Sequence, residues 1–340
     1  MGQRIECLAR RGRALVAGGA GFLGSHLCEA LISEGMEVIC VDNFMSGNLA
    51  NLSNIIGHPC LTVLEADVCN PLPYAITSSS FTEIYNLACP ASPPVYQRDP
   101  EHTVLTNVLG THSLLKLAER SGARFLLTST SEIYGEPLEH PQRETYRGNV
   151  NPTGPRACYD EGKRVAETLA FDFERMGRVS VRVARIFNTY GPRLDPEDGR
   201  VVSNLIRQVL AGGGLTIYGD GQQTRSFCFV DDLIAGLLAL MRYEGEQPGP
   251  VNLGNPEEIT VLELGERICR LLGRDADFRF LPLPCDDPHR RRPDISKAAS
   301  FLDWRPTISL DDGLAETIAW FEDIQHTRVP IEEARVGASQ

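Results

Sequence analysis

The chain has 340 residues, a formal net charge of -12, ten cysteines and seven histidines. That length suits one large α/β domain with a smaller lobe, and the acidic charge argues against a nucleic-acid partner. The cysteines are scattered through apolar runs (Cys28, Cys40, Cys89) without a CxxC, which fits reduced thiols in a cytoplasmic setting rather than a disulfide scaffold. No histidine spacing suggests metal ligands, and no stretch is apolar enough to cross a bilayer.

The basic opening, MGQRIECLARRGRAL, lacks an apolar signal core and is expected to be a short tail. The first element follows at once. Ala14 to Ala17 is an apolar strand, Gly18, Gly21 and Gly24 form a tight turn, and His26 to Ser33 reads as a helix. Strand, glycine-rich turn and helix together are the dinucleotide fingerprint in its proper setting. The first glycine permits the turn, the second admits a pyrophosphate, and the third lets helix and strand pack closely. The helix N-terminus offers free amides and a positive dipole end to the phosphates. A second strand, Glu37 to Val41, ends at Asp42, placed to accept from a ribose hydroxyl.

Further strands are expected near 61–65, 82–87, 123–129 and 179–185, with helices near 23–34, 48–55, 101–121, 155–177 and 200–212. This rhythm predicts a Rossmann-type, mostly parallel, doubly wound α/β sheet with right-handed crossovers. Beyond about 190 the chain changes character. Pro, Gly and Asp punctuate 191–200, 212–221 and 247–256, and Leu281 to Asp294 is proline-rich and full of arginine. The expected organisation is an NAD-binding domain over 12–190 with returns near 226–255. A smaller, discontinuous α/β substrate-binding lobe over 191–325 and a polar tail over 326–340 complete it.

Tyr159 and Lys163 stand four apart in YDEGK and share a helix face. A neighbouring ammonium favours the phenolate and makes Tyr159 a usable base. The strand ARFLLTSTSEIYG ends in Thr128 to Glu132, hydroxyls and a carboxylate facing the same cleft.

With these residues assembled, the chain resembles the extended short-chain dehydrogenases/reductases, the NAD-dependent nucleotide-sugar epimerases, dehydratases and decarboxylases. More narrowly it is similar to the UDP-glucuronate decarboxylase family. The likeness runs from about Arg13 to Phe321 through GGAGFLG, VDNF with SGN, NLACPASPP, TSTSEIYGEP, YDEGKRVAE, RIFNTYGPR, GDGQQTRSF with VDDL, and DDPHRRRPDI.

The resemblance implies an enzyme that oxidises C4 of UDP-glucuronate with NAD, releases carbon dioxide from the 4-keto acid, and reduces C4 again to give UDP-xylose. Tyr159 would be the base, Lys163 would hold the nicotinamide ribose, and Thr130 would hydrogen-bond the C4 hydroxyl. The pair Ser131-Glu132 follows the decarboxylase pattern, where dehydratases carry Asp-Glu and simple epimerases lack the glutamate. Arg291, between Arg290 and Arg292, matches the arginine aimed at the substrate carboxylate. Phe22, Leu23, Asn43, Asp67, Val68 and Leu87 would line the cofactor site, Asp67 near adenine, and Asp42 would disfavour NADP. Tyr96, Asn188, Leu215, Tyr218 and Arg225 would bind the nucleotide sugar, with Arg225 and Asn188 on the diphosphate. No metal is implied. Helices 101–121 and 155–177 would pair between subunits of a homodimer, through residues such as Leu105, Leu109, Phe171 and Met176. The alternatives are release of a UDP-4-keto-pentose with NADH, a 4-epimerase or 4,6-dehydratase activity, or an NAD-binding sensor or scaffold. The intact Tyr159 and Lys163 weigh against the last.

Overall fold

The computed structural model describes residues 11–282 and 290–328. The opening tail up to residue 10, the start of the DDPHRRRPDI motif and the end of the polar tail lie outside them. The central sheet is built from β1 (Arg13–Ala17), β2 (Glu37–Asp42), β3 (Leu61–Glu65), β4 (Glu83–Asn86), β5 (Arg124–Thr130), β6 (Val181–Ile186) and the late strand Pro250–Leu253. Its seven strands run in the order Pro250–Leu253, β6, β5, β4, β1, β2, β3, and every neighbouring pair is parallel.

A parallel sheet covered on both faces needs apolar side chains at successive positions. In β1, Ala14 and Val16 enter one core while Leu15 and Ala17 enter the core on the opposite face, all of them fully buried. The helices Phe22–Ser33 and Val230–Arg242 pack on one side, and Thr111–Ser121 and Ala157–Arg175 on the other. Strand order reverses between β1 and β4. The crevice beyond the carboxyl ends of the strands at such a switch point is where ligands bind in open α/β sheets.

Smaller sheets follow the central one. Leu215–Tyr218 pairs in parallel with Phe278–Leu281. Thr224–Ser226 lies between Glu258–Thr260, which is antiparallel to it, and Arg290–Arg291, which is parallel. The last pairing sets Arg291 opposite Arg225. A buried polar network ties the large sheet to the helix Ala157–Arg175. Arg185 on β6 donates from Nε and Nη2 to Glu167 at 3.0 and 2.8 Å and from Nη1 to Tyr134 Oη at 3.0 Å.

Two expected helices differ in detail. The stretch near 48–55 holds only a 3-10 turn, Leu49–Leu52, whose start Asn48 caps by accepting from the Ala50 amide. The long helix near 101–121 starts at Pro100–Leu105, passes through a π turn at Thr106–Gly110, and resumes at Thr111–Ser121. Such a bulge often marks a functional site; here it packs Gly110 against Val68 and sets Asn107 against Gly162. No helix among the described residues is long and apolar enough to cross a membrane. The eight cysteines among the described residues are free thiols.

Candidate active site

A cleft of about 1080 Å³ opens at the carboxyl edge of the sheet. Its floor is the glycine turn. Gly18 has φ +78°, a left-handed conformation that suits glycine. A Cβ on Gly24 would stand 2.0 Å from the Gly18 carbonyl oxygen, so helix and turn approach this closely only without side chains. Gly18, Gly21, Phe22, Leu23 and Gly24 all line the cleft, with Val68 and Leu87 beside them.

Asp42 ends β2 and is buried. Its Oδ2 accepts from the Ala20 amide at 2.9 Å, and Oδ1 accepts from the Phe44 amide at 2.9 Å. Burial pushes its pKa up while these amides oppose the rise. Asn43 donates to Asp67 Oδ2 at 3.0 Å, His102 Nε2 lies 2.7 Å from the same oxygen, and the Cys69 amide donates to Oδ1 at 2.8 Å. Burial raises the Asp67 pKa, but these partners outweigh it and bring it down to about 2. Asp67, Cys69 and His102 bring ligand-type atoms within 4.8 Å of one another. Hydrogen bonds already organise the trio, for Thr106 Oγ1 lies 3.3 Å from Cys69 Sγ as well.

At the other end of the cleft, Tyr159 and Lys163 project from the helix Ala157–Arg175, and both are buried. Lys163 Nζ donates to the Thr128 carbonyl at 2.9 Å and lies 5.9 Å from the Tyr159 ring centre. The Tyr159 ring stacks on Tyr96 with centroids 5.0 Å apart and planes 4° from parallel. Burial raises the Tyr159 pKa, the nearby Cys89 thiol adds to the rise, and a hydrogen bond with Thr130 opposes it. Burial lowers that of Lys163.

Thr130 ends β5 and caps the short turn Ser131–Tyr134, its hydroxyl accepting from the Glu132 amide at 3.2 Å. The turn swings Glu132 toward two guanidinium groups. Arg156 Nη2 donates to Glu132 Oε2 at 2.6 Å and Arg291 Nη2 donates to the same oxygen at 3.1 Å. Ser131 Oγ is 3.4 Å from the other oxygen, Oε1. Burial would raise the Glu132 pKa, but Arg291 and Arg156 prevail and hold it as the anion. Arg291 is only 2% exposed, and its Nη1 donates to the carbonyls of Ser131 and Gly135 at 2.9 and 3.1 Å. Of the three successive arginines, this is the one turned inward; Arg290 is exposed.

Asn188, Tyr218 and Arg225 line the cleft. Leu215 does not: it is 1% exposed in the core. Side chains alternate along its strand, so Thr216 and Tyr218 form the cleft wall while Leu215 and Ile217 point inward. Three groups of this end escaped the sequence reading. Arg156 stands three residues before Tyr159, a spacing that puts both on one helix face. Asp160, the next residue after Tyr159, is buried near Glu132. Arg200, paired with Asp198, acts electrostatically on Tyr159; nothing in its loop sequence points to the cleft.

Residues 14–254 match the NAD dependent epimerase/dehydratase family. UDP-glucuronic acid decarboxylase 1 of Arabidopsis thaliana is 54% identical over 314 residues, 92% of this chain and 71% of that protein. The chain belongs to the UDP-glucuronic acid decarboxylase family. A vertebrate relative, UDP-glucuronic acid decarboxylase 1 of Danio rerio, is 51% identical over 93% of this chain and 74% of its own length. Among solved structures, the UDP-glucuronic acid 4-epimerase of Bacillus cereus, in complex with UDP-glucuronic acid and NAD, superposes with a TM-score of 0.82. It has 28% identity, over 92% of this chain and 99% of that one. The dTDP-glucose 4,6-dehydratase of Bacillus anthracis, in complex with NAD, gives a TM-score of 0.80 at 29% identity, over 94% and 99% of the two chains.

Proposed function

We infer that the chain catalyses the NAD-dependent decarboxylation of UDP-glucuronate to UDP-xylose and carbon dioxide. The observation that carries this reading is Glu132, held as an anion by Arg156 and Arg291 at the end of the strand that also bears Thr130, beside Tyr159. It is supported by the high identity to named decarboxylases. The glycine cradle and the buried Asp42 fit NAD: the turn at Gly18 and its tight packing on Gly24 leave the backbone at Gly21 bare on the cleft wall for a pyrophosphate, and Asp42 disfavours a 2′-phosphate. When bound, NAD supplies a reversible hydride acceptor at C4.

Thr130 and Tyr159 take the proton of the C4 hydroxyl as C4 is oxidised. Lys163 holds the nicotinamide ribose, while Thr130 and Arg200 oppose the burial-driven rise of the Tyr159 pKa. The C6 carboxylate is then β to a ketone, so carbon dioxide leaves with its electrons entering the carbonyl as an enolate, stabilised by Tyr159 and neighbouring hydroxyls. Glu132, Ser131 and Arg291 position the sugar ring and its carboxylate. Arg225 and Asn188 hold the diphosphate, and Tyr96, Tyr218 and the strand beginning at Leu215 shape the sugar and base sites. Phe22, Leu23, Asn43, Asp67, Val68 and Leu87 line the cofactor site.

We also propose the division into an NAD-binding domain, 12–190 with returns near 226–255, and a nucleotide-sugar lobe within 191–325. A cytoplasmic homodimer without a nucleic-acid partner completes the reading. Apolar side chains left exposed on the paired helices support the dimer, Leu109 at 46% and Val165 at 41%.

Purified protein given UDP-glucuronate and trace NAD+ is expected to yield UDP-xylose and carbon dioxide one to one, without accumulating NADH. A 4-keto pentose with stoichiometric NADH would keep the decarboxylation and change the product. Release of no carbon dioxide would move the chain to an epimerase or dehydratase.

A further inference from the structure

Decarboxylation of UDP-glucuronate consumes one proton per turnover, and that proton must arrive at C5. The C4-hydroxyl proton taken by Tyr159 is returned when C4 is reduced, so it is not available for C5. Glu132 is a poor source, because two arginines hold it as the anion. The proton therefore comes from another donor, a cleft water or a second acid.

Asp160 meets the requirement by position. It lies one residue beyond Tyr159 in the first turn of the same helix and is 7% exposed. Its Oδ1 is buried without a hydrogen-bond partner among the described residues. The Tyr96 hydroxyl is likewise buried without a partner. Tyr96 lines the cleft, stacks on Tyr159 and feels the charge of Asp160. Two orphaned polar groups within electrostatic reach of each other, one of them on the cleft wall, are a rare arrangement in a folded interior.

We propose that Asp160 is the proton-holding residue for C5, acting through the Tyr96 hydroxyl. This rests on the decarboxylase reading above. As the C4–C5 enolate collapses, the Tyr96 O–H bond breaks and a C5–H bond forms from the enolate electron pair. Tyr96 is then reprotonated by Asp160 once the two side chains, which share no hydrogen bond at rest, swing into contact, and Asp160 recovers a proton from solvent. Nothing is oxidised or reduced in this step.

The electrostatics agree. Burial raises the Asp160 carboxyl to about 7, with Glu132 adding to the rise and Arg156 and Arg291 opposing it. Glu161 beside it also raises it. On its own helix, Arg164 is turned to the carbonyls of Ile133 and Arg147, and Cys158 is a thiol. The segment packed across the helix offers the neutral Asn107, against Gly162. An acid with a raised folded-state pKa opposes folding once pH passes the unfolded value, roughly 4. Asn at this position removes that opposition, so Asp160→Asn is expected to melt no lower than the wild type.

The test is steady-state kinetics with UDP-glucuronate across pH 5.5–9 at saturating NAD+. Wild-type kcat is expected to fall as pH rises through about 7, where Asp160 loses its proton. Asp160→Asn should lower kcat at pH 7 by about tenfold or more, leave KM within about twofold, and abolish that alkaline limb. Asp160→Glu should restore the limb and part of the rate. Reduction of UDP-4-keto-pentose by NADH, which needs no proton at C5, should remain at the wild-type rate in Asp160→Asn. Wild-type kcat with an unchanged limb would overturn the proposal, and so would an equal loss in the reduction assay. A wild-type protein that releases no carbon dioxide would instead overturn the decarboxylase reading beneath it.

Discussion

Tyr159→Phe is expected to lower turnover by about a thousandfold or more while leaving NAD and UDP-glucuronate binding nearly unchanged. The substitution deletes one oxygen from a buried ring whose packing on Tyr96 is face to face, and that packing survives. What disappears is the hydroxyl that bonds with Thr130 and takes the C4 proton. The loss should therefore appear in kcat and kcat/KM together, the signature of an interaction made only in the transition state. A single-turnover record at 340 nm should show no transient reduction of the cofactor. Turnover within tenfold of wild type would remove Tyr159 as the base.

Arg291→Met should cost both stability and chemistry. The guanidinium is almost fully buried and serves Glu132 and the carbonyls of Ser131 and Gly135. Removing one partner of a buried ion pair leaves an uncompensated charge, a loss of about 3–5 kcal/mol. Arg156 still faces Glu132 from the cleft side and retains part of the interaction, so the lower end of that range is expected. Urea denaturation checks the stability, and the same protein should decarboxylate poorly. The double variant Glu132→Gln with Arg291→Met should be less destabilised than the sum of the two single changes, because the orphaned charge is gone. The pH dependence has a definite sign. Glu132 has a folded pKa below its unfolded value; its contribution is complete at neutral pH and is lost as pH falls toward that lowered value. Additive single effects, or a wild-type melt for Arg291→Met, would mean that Arg291 does not hold Glu132.

The fold was legible because its elements are written in local pattern. The apolar run into Gly18, Gly21 and Gly24 announced β1, its turn and its helix, and the later aliphatic runs marked strands to within a residue or two. The π turn at Thr106–Gly110 was not legible, since a shift of hydrogen-bond register leaves apolar periodicity almost untouched. Arg156 looked like an ordinary residue at a helix start, and only the fold brings Glu132 to it. The inward turn of Arg291 depends on its pairing with Arg225, a contact between segments 66 residues apart in sequence number. Leu215 was assigned to the cleft by family likeness, while the alternation of its own strand sends Thr216 and Tyr218 there instead. Asp160 was hidden by its neighbours: in YDEGK it reads as one more acidic residue on an exposed helix.

With NAD bound, the hydride taken from C4 would return to the same carbon after carbon dioxide has left. UDP-glucuronate carrying deuterium at C4, turned over with trace NAD+, tests this most directly when the product is read by mass spectrometry and proton NMR. The expected products are UDP-xylose with deuterium retained at C4 and carbon dioxide in equal amount, with no free NADH. Deuterium lost to solvent, or released on free NADH with the sugar left as a ketone, would contradict this return.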